Sequence, residues 1–118
     1  MAQKNWGQTL SLDLFECNKN ILNDPKKLKE FTRQIIQKIK MKAYGRPILK
    51  EFGEGSLEGY SLIQFIETSS ITIHTDKFGD RVFIDIFSCK TFDQKIAKNY
   101  SKLFFEAKRV KSKNYYRG

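Results

Sequence analysis

The chain's single histidine, His74, lies in a stretch from Ser61 to Cys89 that also holds one of its two cysteines and the serine pair Ser69-Ser70. A serine hydroxyl beside a peptide carbonyl, an imidazole that titrates near neutrality and a thiol are, as residue types, a nucleophile, a base and an acid. The chemistry such a set supports is self-cleavage, in which one serine attacks the chain that carries it and becomes an electrophile. Each group also has a plainer reading. A lone histidine more often serves structure than catalysis, a lone cysteine is more often a core thiol, and single serines are ordinary strand-end hydroxyls. Only the joint spacing of Ser61, Ser69, His74 and Cys89 favours the catalytic reading. Cys17 has no such partner and reads as packing.

Strands must hold these groups. Gln8–Cys17 carries leucines at 10, 12 and 14, the alternation of a strand with one buried face. Asn23-Asp24-Pro25 opens a helix with a side-chain cap and a proline in the first turn. Leu28, Phe31, Ile35, Ile36 and Ile39 continue it at helical spacing to near Lys42, before Gly45-Arg46-Pro47. A short strand over 48–52 precedes an acidic, glycine-rich and mobile loop, Gly53–Gly59, whose glutamates Glu54 and Glu58 are candidate holders of a cationic substrate. The glycine spacing does not match a phosphate loop. Strands follow over 60–66 and 71–75, then a turn over 76–80. The stretch 81–88 is largely apolar on both faces and reads as central in the sheet. Asp93 caps a second helix bearing Ile96, Ala97, Tyr100 and Leu103, and 107–112 is a last strand before a basic tail. Met1–Asn5 reads as a loose terminus. The elements predict a single α+β domain over residues 1–118, a two-layer α/β sandwich of mostly antiparallel sheet with two helices on one face.

Composition narrows the classes. The 118 residues are 40% hydrophobic and 14% aromatic, enough for a core. No apolar run reaches the length of a membrane span, and two cysteines make no disulfide framework, so a cytoplasmic protein with reduced thiols is expected. No metal-ligand pattern is present. The net charge is +9, and residues 93–118 carry eight Lys/Arg against Asp93 and Glu106. A basic face suits nucleic acid, but no aromatic-plus-glycine signature of an RNA-binding module accompanies it, and a solvated lysine-rich face is the preferred reading.

The spacing of Ser61, Ser69, His74 and Cys89, with I-T-I-H-T around the histidine and D-I-F-S-C around the cysteine, resembles the short prokaryotic S-adenosylmethionine decarboxylases. The likeness runs over nearly the whole chain, through the E-C-N end of the first strand, the D-P-x-x-L helix start and the G-Y-S strand. It implies a pyruvoyl-dependent, self-processing proenzyme of polyamine (spermidine) biosynthesis and a homodimer. Ser69 Oγ attacks the Thr68 carbonyl, the ester eliminates to dehydroalanine, and hydrolysis leaves a pyruvoyl group, with the chain cut between 68 and 69. By the same resemblance His74 is the base for the serine α-proton, Ser61 the oxyanion donor, and Cys89 the acid that reprotonates the α-carbon after decarboxylation from a Schiff base. Ser69 and His74 are five apart and so face opposite ways on a straight strand. A turn or bulge at Ser69-Ser70 is therefore expected to bring them together.

Three positions depart from the family pattern. The family's Glu-Ser-His at the cut is Thr68-Ser69-Ser70 here, which leaves a cut before Ser70 as a minor alternative. The aromatic-Pro-Glu after I-H-T is Asp76-Lys77-Phe78, so Phe78 replaces a ribose-holding glutamate. The adenine-stacking aromatic falls at Gly55, and Phe52 is the nearest candidate. Two further readings stay open: decarboxylation of a basic amino acid such as arginine or ornithine, with Glu54 or Glu58 as cation partner, and a non-processing paralogue that binds or regulates, including a basic nucleic-acid-binding protein.

Overall fold

The structure, a computed structural model, describes residues 5–118; Met1–Lys4, most of the expected loose terminus, lie outside it. Six strands form one sheet: β1 (Gly7–Phe15), β2 (Ala43–Phe52), β3 (Gly59–Ile66), β4 (Ser69–Asp76), β5 (Arg81–Ser88) and β6 (Arg109–Arg117). Their spatial order is β2-β3-β4-β5-β1-β6, and every neighbouring pair is antiparallel. Three helices, α1 (Lys19–Leu22), α2 (Pro25–Lys38) and α3 (Gln94–Phe104), complete the fold.

Alternation decides which face of the sheet the helices cover. Leu10, Leu12 and Leu14 of β1, Ile71 and Ile73 of β4, and Val82, Ile84 and Ile86 of β5 are buried in one core with Leu28, Phe31 and Ile35 of α2 and Phe105. Phe31 sits at the helix–helix seam, 5.9 Å from Tyr100 and 4.9 Å from Phe105 between ring centroids. Both long helices start as the sequence predicts. Asp24 Oδ1 accepts from the Lys26 amide, with Pro25 in the first turn, and Asp93 Oδ1 accepts from the amides of Lys95 and Ile96. Among the described residues, the other face of the sheet carries no helix.

Several boundaries differ from the sequence expectation. Helix α2 stops at Lys38, with Lys40 in the left-handed region at φ 59°, so β2 begins five residues earlier than expected. It crosses Gly45–Pro47 through a register shift between Tyr44 and Ile48, which is how a strand accommodates a proline. The last strand runs to Arg117 because β1 offers a full-length partner from Gly7 to Phe15. β5 is not apolar on both faces. Val82, Ile84, Ile86 and Ser88 are buried, whereas Arg81, Phe83, Asp85 and Phe87 lie on the open face. It is internal all the same, between β4 and β1.

The segment expected to be a glycine-rich loop is a turn between β2 and β3 that is exposed from Gly53 to Leu57. A single 3-10 turn spans Gly55–Leu57. Gly53, at φ 88°, sits where an added Cβ would meet the Leu57 carbonyl oxygen at 2.1 Å, and at Gly59 it would meet the Thr75 carbonyl oxygen at 1.9 Å. The glycines are there for close backbone approach.

Candidate active site

Ser69 begins β4 rather than sitting in a loop. A two-residue turn, Glu67-Thr68, joins it to β3, and Thr68 is held at φ 82°. That region suits glycine. A β-branched residue placed there is strained, by roughly 1–3 kcal/mol. The strain lies on the residue whose carbonyl Ser69 would attack, one position before the expected irregularity. The Ser69 hydroxyl donates to that Thr68 carbonyl oxygen and accepts from the Cys89 amide at 3.0 Å. Cys89 reaches it because Ser69 pairs with Ser88 at the end of β5. Tyr44 and Phe65, with the turn itself, line an open groove of about 670 Å³ beside the Thr68–Ser69 bond.

His74 and Ser61 form a second group. They are directly opposite in the β3–β4 pair, and Ser61 Oγ lies 2.9 Å from His74 Nδ1. Both are on the open face, His74 beside Phe83 of β5. The imidazole is thus oriented by a hydroxyl through Nδ1.

The two groups do not meet within the chain. β4 runs from Ser69 to Asp76 with an unbroken register to both neighbours. Five residues of strand separate Ser69 from His74 by roughly 16 Å and place them on opposite faces. The turn at 67–68 supplies the expected irregularity but leaves His74 toward the opposite end of β4.

The remaining candidates line the far end of β2, β3 and β4. Phe52 pairs with Gly59 and is exposed, as is Phe78. Glu58 is taken by Lys77, whose ammonium lies 2.7 Å from its carboxylate and 5.5 Å from the Phe78 ring centroid. Glu54 precedes the 3-10 turn as its N-terminal flank. Cys17 is a buried thiol pushed up to about 12, by burial first and by the charge of Asp80 second, and neither cysteine is in a disulfide.

Three aromatic residues escaped the sequence reading. Tyr44 and Phe65 lie beside the Thr68–Ser69 bond, and Trp6 stacks on Phe87 of the open face at 5.7 Å, with the Arg117 guanidinium 5.3 Å from the same ring. Only cross-strand register joins them to the site, and register is not written in any one segment. No group of His, Cys, Asp and Glu suited to a metal occurs among the described residues, and no helix of the structure is long and apolar enough to cross a membrane.

Fold and site together describe an α+β domain with helices on one side of an antiparallel sheet and hydroxyl, imidazole and thiol groups on β3, on β4 and just past the end of β5. A model of the S-adenosylmethionine decarboxylase family matches residues 8–118. The S-adenosylmethionine decarboxylase proenzyme of Clostridium botulinum (strain Langeland / NCTC 10281 / Type F) is 32% identical over 113 residues, covering 95% of this chain and 94% of that protein. The proenzyme of the Loch Maree strain of the same species matches to the same extent. The crystal structure of the adenosylmethionine decarboxylase from Aquifex aeolicus VF5 superposes with a TM-score of 0.82 at 18% identity, covering 98% of this chain and 93% of that one, which establishes the shared fold. The chain belongs to the S-adenosylmethionine decarboxylase family.

Proposed function

We propose that the protein is a self-processing decarboxylase acting on S-adenosylmethionine, in the step that commits this substrate to polyamine synthesis. The observation that carries the reading is the local geometry at residue 69: a serine hydroxyl bonded to the preceding carbonyl, across a backbone strained at Thr68. Such a serine is a nucleophile aimed at its own chain. Addition of Ser69 Oγ to the Thr68 carbonyl carbon, followed by loss of the amide nitrogen, forms an ester and relieves the positive φ. Removal of the Ser69 α-proton then expels the Thr68 carboxylate. Water replaces the nitrogen as ammonia, leaving residues 1–68 and a pyruvoyl-blocked 69–118.

The residues present fit that group. Ser69 would carry it next to Cys89, whose amide holds the Ser69 hydroxyl until that oxygen leaves with Thr68, and the 670 Å³ groove would receive the substrate. Once formed, a pyruvoyl carbonyl supplies an electron sink for loss of carbon dioxide from an amine-bearing substrate. Cys89 is placed to hold the proton returned to the α-carbon. His74, oriented by Ser61, is the base, and a histidine about 16 Å along the strand serves Ser69 only from another chain. We therefore infer a homodimer in which the Ser61–His74 pair of one protomer completes the Ser69–Cys89 pair of its partner. The open face supports this. It bears exposed Trp6, Ile63 and Phe65 without a covering layer, a composition suited to association.

Phe52 and Phe78 are the proposed walls of the nucleoside end. Glu58 is already neutralised by Lys77, which disfavours a basic amino acid as substrate. The test is the intact mass of the purified protein under denaturing conditions, followed by release of carbon dioxide from S-adenosylmethionine, arginine and ornithine. Two fragments breaking at Thr68/Ser69 with turnover of S-adenosylmethionine are expected. A single uncut chain without turnover would sink the reading, and arginine or ornithine turnover would transfer it to a different substrate.

A further inference from the structure

On the helix-covered side, away from His74, α2 and the edge strand β2 flank an open cavity of about 620 Å³ whose cationic side chains are exposed. Lys29 and Arg33 enter it from one face of α2, four residues apart and so adjacent on the helix. Lys42 and Arg46 enter from the start of β2. No carboxylate lines the cavity among the described residues, and none of the four cations is in an ion pair with one. Ile36 and Pro47 supply apolar wall.

The arrangement is fixed from inside the protein. Gln64, 2% exposed, donates through Nε2 to the carbonyl oxygens of Gly45 at 3.1 Å, Tyr44 at 3.3 Å and Phe65 at 2.7 Å. It thereby holds the register shift of β2 against β3 and sets where Arg46 leaves the strand. Four like charges around one cavity repel each other and concentrate a positive potential over a low-dielectric wall, where an anion is held more strongly than on open surface.

We propose that this cavity is a binding site for a small phosphate-bearing polyanion, separate from the decarboxylation site. Arg33 and Arg46, one from each wall, carry the planar guanidinium group that suits bidentate contact with phosphate oxygens. The site does not depend on the proposed chemistry at Ser69, since its residues lie on α2 and β2 and its ligand carries no reacting bond.

Inorganic tripolyphosphate is the probe, titrated calorimetrically into the purified protein at fixed ionic strength. One saturable site per chain is expected. The double variant Arg33→Glu/Arg46→Glu should weaken it at least about tenfold, whereas the charge-matched Lys95→Glu/Lys102→Glu on α3 should leave it within about twofold. If the first double variant does not fold, Arg46→Gln, at an exposed strand position, should still weaken binding about threefold with an unchanged melting midpoint. Absence of saturable binding, equal weakening by the two double variants, or an unaltered Arg46→Gln would overturn the proposal. Because the readout is binding, a protein that fails to process itself still answers the question.

Discussion

Ser69 and Cys89 are separated by twenty residues yet joined by one hydrogen bond, and the proposed chemistry gives them different duties. Ser69→Ala removes the nucleophile, so denaturing mass spectrometry should return one uncut chain and decarboxylation should vanish with the cut. A cut, active Ser69→Ala protein would exclude the assignment, and a cut moved by one residue would point to Ser70. Cys89→Ala keeps the backbone amide that holds Ser69. It should still cleave but turn over at least about a hundredfold more slowly, the usual scale for losing a positioned acid. Cleavage and turnover are separate readouts, so full turnover in Cys89→Ala removes the thiol from the mechanism. The other thiol offers an internal control. Burial and Asp80 hold Cys17 up to about 12, so at neutral pH it stays protonated. Thiol-specific alkylation of the native protein should label Cys89 well before Cys17.

The strands carry predictions of their own. Gly59 lets β3 start against the Thr75 carbonyl. Gly59→Ala forces that backbone apart and should lower unfolding stability by about 1–3 kcal/mol, seen as a lower denaturant midpoint. The β4–β5 turn is held by Arg81, whose guanidinium lies 2.6 Å from Asp76. Burial alone would raise the Asp76 carboxyl, but hydrogen bonds from Arg81 and the Gly79 amide outweigh it and hold it below the usual range. A depressed carboxyl stabilises the fold above its unfolded value and loses that contribution as pH falls through its folded value. The stability difference between the natural chain and Asp76→Asn should therefore be constant from neutrality down to about pH 4 and shrink below it. A difference that stayed flat in acid would show that Asp76 titrates normally. These elements were largely legible beforehand. The leucines of β1 and the caps at Asp24 and Asp93 are local signals of period and hydrogen bonding. The start of β2 was not, because Gly45-Arg46-Pro47 reads as a terminator locally and is carried into the sheet only by pairing with β3.

At the scale of the whole molecule, one question decides the mechanism: which chain's histidine serves which serine. Sedimentation should find a dimer, and Phe65→Asp, which places a charge on the exposed sheet face beside Ser70, should shift it toward monomer and depress activity together. Mixed chains separate a shared site from an independent one. Cys89→Ala and His74→Ala proteins, each poor alone, should regain activity when co-expressed, because one site in each heterodimer then has its full set. No recovery in a confirmed heterodimer would mean that each chain uses its own His74.

The sequence by itself determined the fold class, the helix starts and the family, and it singled out four candidate residues, because periodicity, capping and motif spacing are properties of short stretches. The tertiary structure alone decided how those residues associate. Antiparallel register set Ser61 against His74 and brought Ser69 to the end of β5 beside Cys89, and the straight run of β4 kept the two pairs apart. It also placed strain on Thr68, bound Glu58 to Lys77 and gathered four cations around one cavity. Apart from the turn that strains Thr68, these are contacts between segments distant in the chain, fixed by pairing and packing rather than by spacing along the sequence.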